Sequence, residues 1–209
     1  MKPWLFDILA CPIDKNYPLI LYIFSFENEL EEFQSIINLY MNRDLNLIKN
    51  EKILEISHED NEILLKDNIN IEKTKLKSYL DLTISSLIEF ENVVDRTSHK
   101  LSKKCFELVN SDVKSKIIEF SKNPNIKYLD SILPELYLIN KIKLDFEIKS
   151  GILLCNECKR WFPIIDTIPQ MLPDKYRNEK NEIRFLENHK NLLDEKFFNQ
   201  DLKPFNILK

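Results

Sequence analysis

One residue in 209 is a glycine, Gly151, and that scarcity limits what the chain can build. Phosphate-cradling loops, dinucleotide fingerprints and the cofactor loop of Rossmann-type methyltransferases bring backbone close to a ligand, and they use glycines to do so. With one glycine, none of these can be assembled. Nucleotide-dependent catalysis by this chain alone is not expected. A tight turn can still use Gly151. The stretch "IKLDFEIK" (142–149) alternates apolar and polar residues, with Ile142, Leu144, Phe146 and Ile148 on one side, and "ILLC" follows the glycine. Ser150-Gly151 between them predicts a two-residue hairpin turn.

Apolar residues make up 44% of the chain, enough to bury a core. The formal charge of −4 gives no general attraction to nucleic acid. No apolar run approaches the roughly 20 residues that span a bilayer. The start, "MKPWLFDILAC", lacks the long apolar stretch of a signal peptide. A soluble, cytoplasmic protein is expected.

Periodicity divides the chain into β-rich ends and a helical middle. "WLFDILA" (4–10) reads as one or two helical turns, and "YPLILYIFSF" (17–26) as a strand. From Glu27, Leu30, Phe33, Ile36, Ile37 and Tyr40 recur at helical spacing. "KILEISHEDNEILLK" reads equally as a helix or a small hairpin. Helical patterns follow near 72–95 and 98–121, then a short helix interrupted at Pro134. "RWFPII" and "IPQML" read as short strands whose prolines suggest edges or ends, and the segment from Asn178 as a weakly amphipathic helix. The expected fold is α+β. Residues 1–26 and 142–177 form a small zinc-knuckle-like antiparallel β-domain, 27–141 a large inserted α-helical domain, and 178–209 a C-terminal helical tail.

Four cysteines in a chain of this composition point to metal or isolated thiols more than to a disulfide framework. Cys155 and Cys158 flank a turn between two predicted strands, which aims both sulfurs at one point, the arrangement of a zinc knuckle. Cys11 opens a second turn, "CPIDKNYP", with Asp14 three residues on. Three thiolates and one carboxylate can complete a tetrahedral site. Two other readings of Cys155 and Cys158 stay open: a reduced or disulfide-linked remnant, and a redox pair, although redox motifs normally open a helix. Cys105, on the apolar face of a helix, reads as a buried hydrophobe. His58, His99 and His189 share no spacing that suggests a site.

The two ends, "PWLFDILACPIDKNYPL" and "GILLCNECKRWFPIIDTIPQMLPDKYR", resemble the small activating subunit of multifunctional tRNA, rRNA and release-factor methyltransferases, particularly its archaeal members. The shared features are the Cys-Pro-x-Asp-Lys turn, the glycine before Cys-x-x-Cys, the aromatic-Pro-Ile strand and Ile-Pro-x-Met-Leu-Pro. The middle and the segment beyond Arg177 lie outside the likeness. The resemblance implies a non-catalytic partner. Such subunits form heterodimers with one or several S-adenosylmethionine-dependent catalytic chains, extend their sheet by strand pairing and cover an apolar patch. They also promote S-adenosylmethionine binding, by the partner alone. The family's zinc positions map onto Cys11, Asp14, Cys155 and Cys158.

The residues themselves point to an interface as well. Trp4, Phe6, Trp161, Phe162, Ile168, Met171 and Leu172 are more apolar bulk than a small sheet can bury alone, so a partner surface is expected among them and Ile164. Because "RWFPII" alternates faces, either Trp161 and Pro163 or Phe162 and Ile164 are expected to face outward or against the insertion. The expected function is a methyltransferase activator acting in translation, with no catalytic residue of its own. The alternative is an RNA-binding zinc ribbon that positions substrate through Lys159, Arg160, Lys175 and Arg177 beside Trp161.

Overall fold

The computed structural model describes residues 1–59 and 62–207. In chain order the elements are β1 (Ile20–Phe26), α1 (Leu30–Asn42), α2 (Leu45–Asn50), β2 (Leu54–Glu59), β3 (Glu62–Asp67), β4 (Thr74–Lys75), α3 (Leu76–Glu89) and β5 (Val93–Asp95). They continue with α4 (Lys100–Leu108), α5 (Lys114–Lys122), α6 (Leu133–Asp145), β6 (Ile148–Leu154), β7 (Trp161–Ile165), β8 (Ile168–Pro169), α7 (Glu179–Asn188) and α8 (Glu195–Phe198). The fold is mixed α+β and divides into two units. One comprises Met1–Glu27, Asn92–Ser98 and Glu147–Lys209, the other Asn28–Glu91 and His99–Phe146. Among the described residues no helix is long and apolar enough to cross a membrane.

The first unit is built on a five-stranded sheet in the order β5-β1-β6-β7-β8. Neighbours from β1 to β8 run antiparallel. β5, from the middle of the chain, joins β1 in parallel, so the sheet is not wholly antiparallel. The expected turn at Ser150-Gly151 does not form. Gly151 lies inside β6, opposite Ile23, where the register with β1 is interrupted between Ile23 and Ser25. Its φ is not positive. A Cβ there would stand 2.4 Å from the Tyr22 carbonyl oxygen, so close backbone approach, and no turn, requires the glycine.

Strand pleating sends Ile20, Tyr22, Phe24, Ile152, Leu154 and Trp161 to one face. The segment after Asn178 packs on that face through Phe185, Leu186, Leu193, Phe197, Phe198 and Leu202. Six large apolar side chains at about 1.5–3 kcal/mol each contribute gross burial on the order of 10 kcal/mol. Tyr22 meets Phe197 edge to face at 5.5 Å, and Phe24 stacks on His189 at 4.8 Å. The alternate residues Leu21, Ile23, Leu153, Phe162 and Ile164 are also buried. Neither set of β7 residues faces solvent: the tail covers the Trp161 face, which the strand pattern could not reveal, and Phe162 and Ile164 are buried on the other.

The second unit surrounds α6, which is buried on all sides from Leu133 to Asn140. Pro134 lies in the first turn of this helix and opens it, where a missing N–H is no loss; the expected interruption is absent. α6 also runs on to Asp145, so the strand expected from 142 begins only at Ile148. Ile142 fits a helical repeat with Leu138 and Ile139 as well as it fits alternation, and the helix wins. The middle is not wholly helical: β2, β3 and β4 form a three-stranded antiparallel sheet. Asp60 and Asn61 of the ambiguous stretch lie outside the described residues. The helix expected to 95 ends at Glu89, and the branched pair Val93-Val94 becomes β5.

Polar groups buried in this unit are tied to elements around α6. Asp67 at the end of β3 accepts hydrogen bonds from Tyr79 Oη on α3 (2.6 Å) and Asn140 Nδ2 on α6 (3.2 Å). Its other oxygen caps the next turn through the N–H groups of Ile69 and Asn70. Glu135 accepts from Arg43 at 2.7 Å and pairs with Lys116 at 3.0 Å. Lys143 donates to Ser86 and lies over the Phe90 ring. Cys105 is buried on α4, as expected of a hydrophobe.

Candidate metal centre

Two six-residue turns, "CPIDKN" (11–16) and "CNECKR" (155–160), adopt the same backbone. The N–H of Lys15 donates to the Cys11 carbonyl at 2.9 Å, and the N–H of Lys159 to the Cys155 carbonyl at 3.0 Å. The N–H of Cys11 donates to Asn16 at 3.0 Å, and the N–H of Cys155 to Arg160 at 2.8 Å. The fifth residue is left-handed in both, with φ 63° at Lys15 and 58° at Lys159. A glycine is the ordinary occupant of such a position. Two lysines take it here, and the repeated Cys-x-x-(Cys/Asp)-Lys was the sequence signal for the paired turns.

The turns bring Cys11, Asp14, Cys155 and Cys158 together, with one ligand atom from each lying within 4.8 Å of the others. Cys11 Sγ is 3.7 Å from Cys158 Sγ, and Cys155 Sγ is 3.4 Å from Asp14 Oδ2. Ligands about 2.3 Å from a tetrahedral centre lie roughly 3.8 Å apart, so these separations fit a zinc-sized ion. The thiols are free, since 3.7 Å is far beyond a sulfur–sulfur bond. Burial pushes the Cys11 thiol up to about 12 and raises that of Cys155. Buried thiols of this kind are poor attacking groups, and β7 rather than a helix follows Cys158, which disfavours the redox reading. Asp14 is exposed, and its carboxyl is held well below the usual range by the Asn16 N–H at 3.0 Å and then by the Cys11 thiol.

Outer partners complete the cluster. Asn16 Nδ2 lies 3.6 Å from Cys155 Sγ. The Arg160 guanidinium is raised above its ordinary value, chiefly by Asp174 and next by Cys158. Its Nη2 donates to Asp174 at 2.9 Å. Such groups orient ligands and offset thiolate charge. The set of three sulfurs and one carboxylate, with a cation behind it, can hold a divalent ion as a structural link between the two turns.

Of the expected basic and aromatic cluster, Arg177 and Trp161 are turned inward, whereas Lys175 is exposed and Lys159 and Arg160 are half-buried. Arg177 is fully buried, paired with Glu182 through Nε at 3.0 Å, and its guanidinium lies over Trp161 (5.2 Å), Phe162 (5.3 Å) and Phe205 (5.8 Å). Trp161 donates Nε1 to the Phe205 carbonyl at 3.0 Å. Neither offers a stacking surface for a base. Of the expected interface residues, Phe6, Phe162 and Ile164 are buried. Trp4, Ile168 and Leu172 are exposed and Met171 is half-buried. Ile165 and Tyr176, which carry no signal in the sequence, are exposed as well, and Ile165 immediately precedes the two-residue turn at Asp166-Thr167, both at positive φ.

A family model described as Trm112p-like protein matches residues 2–166, which takes in all four cluster residues and stops short of the tail. No curated protein and no solved structure matches the chain.

Proposed function

Since the chain belongs to the Trm112p-like family, the small activator subunits of tRNA, rRNA and release-factor methyltransferases, we propose that it is a non-catalytic subunit that binds and stabilises an S-adenosylmethionine-dependent catalytic chain in the cytoplasm. Members of the family are activators rather than catalysts. The match over residues 2–166 carries this reading. Two features of the chain support it. A single glycine leaves no cofactor loop of its own, so S-adenosylmethionine would be held by the partner. The end of the sheet at β8 carries exposed Ile165, Ile168, Leu172 and Tyr176, with Trp4 exposed in the same unit, a concentration of apolar surface suited to a protein partner.

In this reading the activator acts by pre-organisation. A catalytic chain whose binding-competent state is only partly populated shows an apparent dissociation constant raised by that fraction, and a subunit that fixes the competent state removes the penalty. Cys11, Asp14, Cys155 and Cys158 would hold zinc as a structural crosslink between the two turns, with no chemical step assigned to it.

Co-expression with each Rossmann-type methyltransferase of the same genome tests the reading. The expected outcome is that one or more become soluble, co-purify in equal amounts and bind S-adenosylmethionine only in the pair. Failure of every pair to associate overturns it. Retention of tRNA by the isolated chain with a steep salt dependence would support the RNA-binding alternative instead.

A further inference from the structure

The tail beyond Asn178 does more than cover a face of the sheet. Its last stretch is wired into the metal-ligand turn. The N–H of Lys203 donates to the Lys159 carbonyl at 3.0 Å, and the N–H of Trp161 donates to the Lys203 carbonyl at 3.3 Å. Lys203 thus brackets Arg160 in a parallel bridge. Two residues on, the Phe205 carbonyl accepts from Trp161 Nε1, and the Phe205 ring caps the buried Arg177. Lys159, the residue gripped by Lys203, is the left-handed residue that directs Cys158 toward its three companions.

The tail is held unequally along its length. Phe185, Leu186, Leu193, Phe197 and Phe198 anchor the part up to residue 198, whereas among the described residues after it Leu202 is the one buried anchor. Its other links include the Phe205 contacts with Trp161 and Arg177, the partly buried Ile207, backbone bonds, and the bonds from Asn206 Nδ2 to the Phe198 and Gln200 carbonyls at 3.2 and 3.3 Å. It is therefore the part of the tail able to detach while the helices stay docked.

We propose that residues 201–207 form a clamp on the Cys155–Trp161 turn, so that metal binding and clamp closure are reciprocally coupled. The clamp holds Lys159 in the conformation that presents Cys158. An ion bound by Cys11, Asp14, Cys155 and Cys158 in turn holds the turn that the clamp pairs with. Linkage makes the two effects equal in size. The proposal rests on reading the four-residue cluster as a metal site. It assigns the segment, which lies outside the family match, a positioning role toward that site.

Zinc affinity, measured by competition with a chromophoric chelator and checked by the Co(II) thiolate absorption, should be compared in three chains. These are the full chain, a chain ending at Gln200, and the full chain with Lys203→Pro, which removes the N–H donated to Lys159 together with the lysine side chain and its pairing to Asp201. Both altered chains are expected to bind Zn(II) 10- to 100-fold more weakly, the usual effect of losing an outer partner. Hydrogen exchange on the unaltered chain gives a second readout that does not depend on a variant folding. Amides of residues 201–207 should exchange at least about tenfold more slowly with Zn(II) present, by the same linkage. Equal affinities together with metal-independent exchange overturn the clamp and leave the metal site standing. No Zn(II) or Co(II) binding by the full chain overturns both.

Discussion

A lysine in the left-handed conformation costs roughly 1–2 kcal/mol relative to its preferred regions, and this chain accepts that cost at Lys15 and again at Lys159. The glycine that would remove it stands elsewhere, at a position with no positive φ. The reason is the kind of penalty involved. A left-handed lysine is disfavoured but fits. A Cβ at 151 would lie 2.4 Å from the Tyr22 carbonyl oxygen, and that atom belongs to a paired strand with no rotamer to give way. Relief could come only by moving β1 or β6. Gly151→Ala is therefore expected to destabilise the chain by about 1–3 kcal/mol, the usual range for overpacking. Lys159→Gly is expected to be neutral or stabilising by up to about 1 kcal/mol, the left-handed cost less the extra entropy of glycine. Urea unfolding midpoints measure both, and wild-type stability for Gly151→Ala would show that β1 yields more easily than its ladder suggests.

At the scale of elements, Asp67 is the junction of the second unit: it ends β3, caps its own turn, and receives Tyr79 from α3 and Asn140 from α6. Tyr79→Phe deletes one hydroxyl that donates to a carboxylate while leaving the ring in place. Its expected cost is about 1.5–3 kcal/mol, the range for hydrogen bonds to charged groups. The urea midpoint should fall without a change in slope, and a changed slope would mean that the unit itself had altered. None of this junction was legible beforehand, because Asp67 and Asn140 are 73 residues apart and carry no local pattern. Local patterns did show α1, β1, β7 and the paired turns, whose residues are close in sequence. They misled where two periods coincided, as at Ile142, and where a segment's state depends on a distant neighbour, as when Val93 and Val94 pair with Leu21 and Tyr22. The metal cluster was readable from two short spacings. The burial of Trp161 was not, since the aromatic and leucine side chains that cover it begin 24 residues further on at Phe185 and have no spacing in common with β7, and neither was that of Arg177, which packs against Trp161, Phe162 and the distant Phe205.

For the whole molecule, the tail decides which apolar surface is left to a partner. By covering Phe24, Ile152, Leu154 and Trp161 it takes the broad face of the sheet out of competition. What remains exposed in the first unit gathers at Trp4, Ile8, Ile13 and Tyr17 in the opening segment, and at Ile165, Ile168, Leu172 and Tyr176 around β8. The second unit also exposes apolar residues, Ile71 and Tyr128 among them, so exposure alone does not select the interface. The family match, over residues 2–166, takes in Ile71 and Tyr128 and stops before Ile168, so the proposed interface rests instead on β8 being an edge strand of the five-stranded sheet, of the kind a partner strand can pair with. Placing a carboxylate in an apolar contact leaves that charge desolvated and unpaired when the partner docks, and it costs nothing comparable while the residue faces water. Ile168→Asp combined with Leu172→Asp is therefore expected to abolish capture of the methyltransferase in co-expression while leaving the thermal midpoint of the isolated chain within a degree or two of the unaltered one, as surface substitutions generally do. Ile71→Asp, at a more exposed residue in the other unit, is expected to leave capture intact. If Ile71→Asp blocks capture and the β8 pair does not, the partner docks on the second unit and the sheet-end interface is wrong.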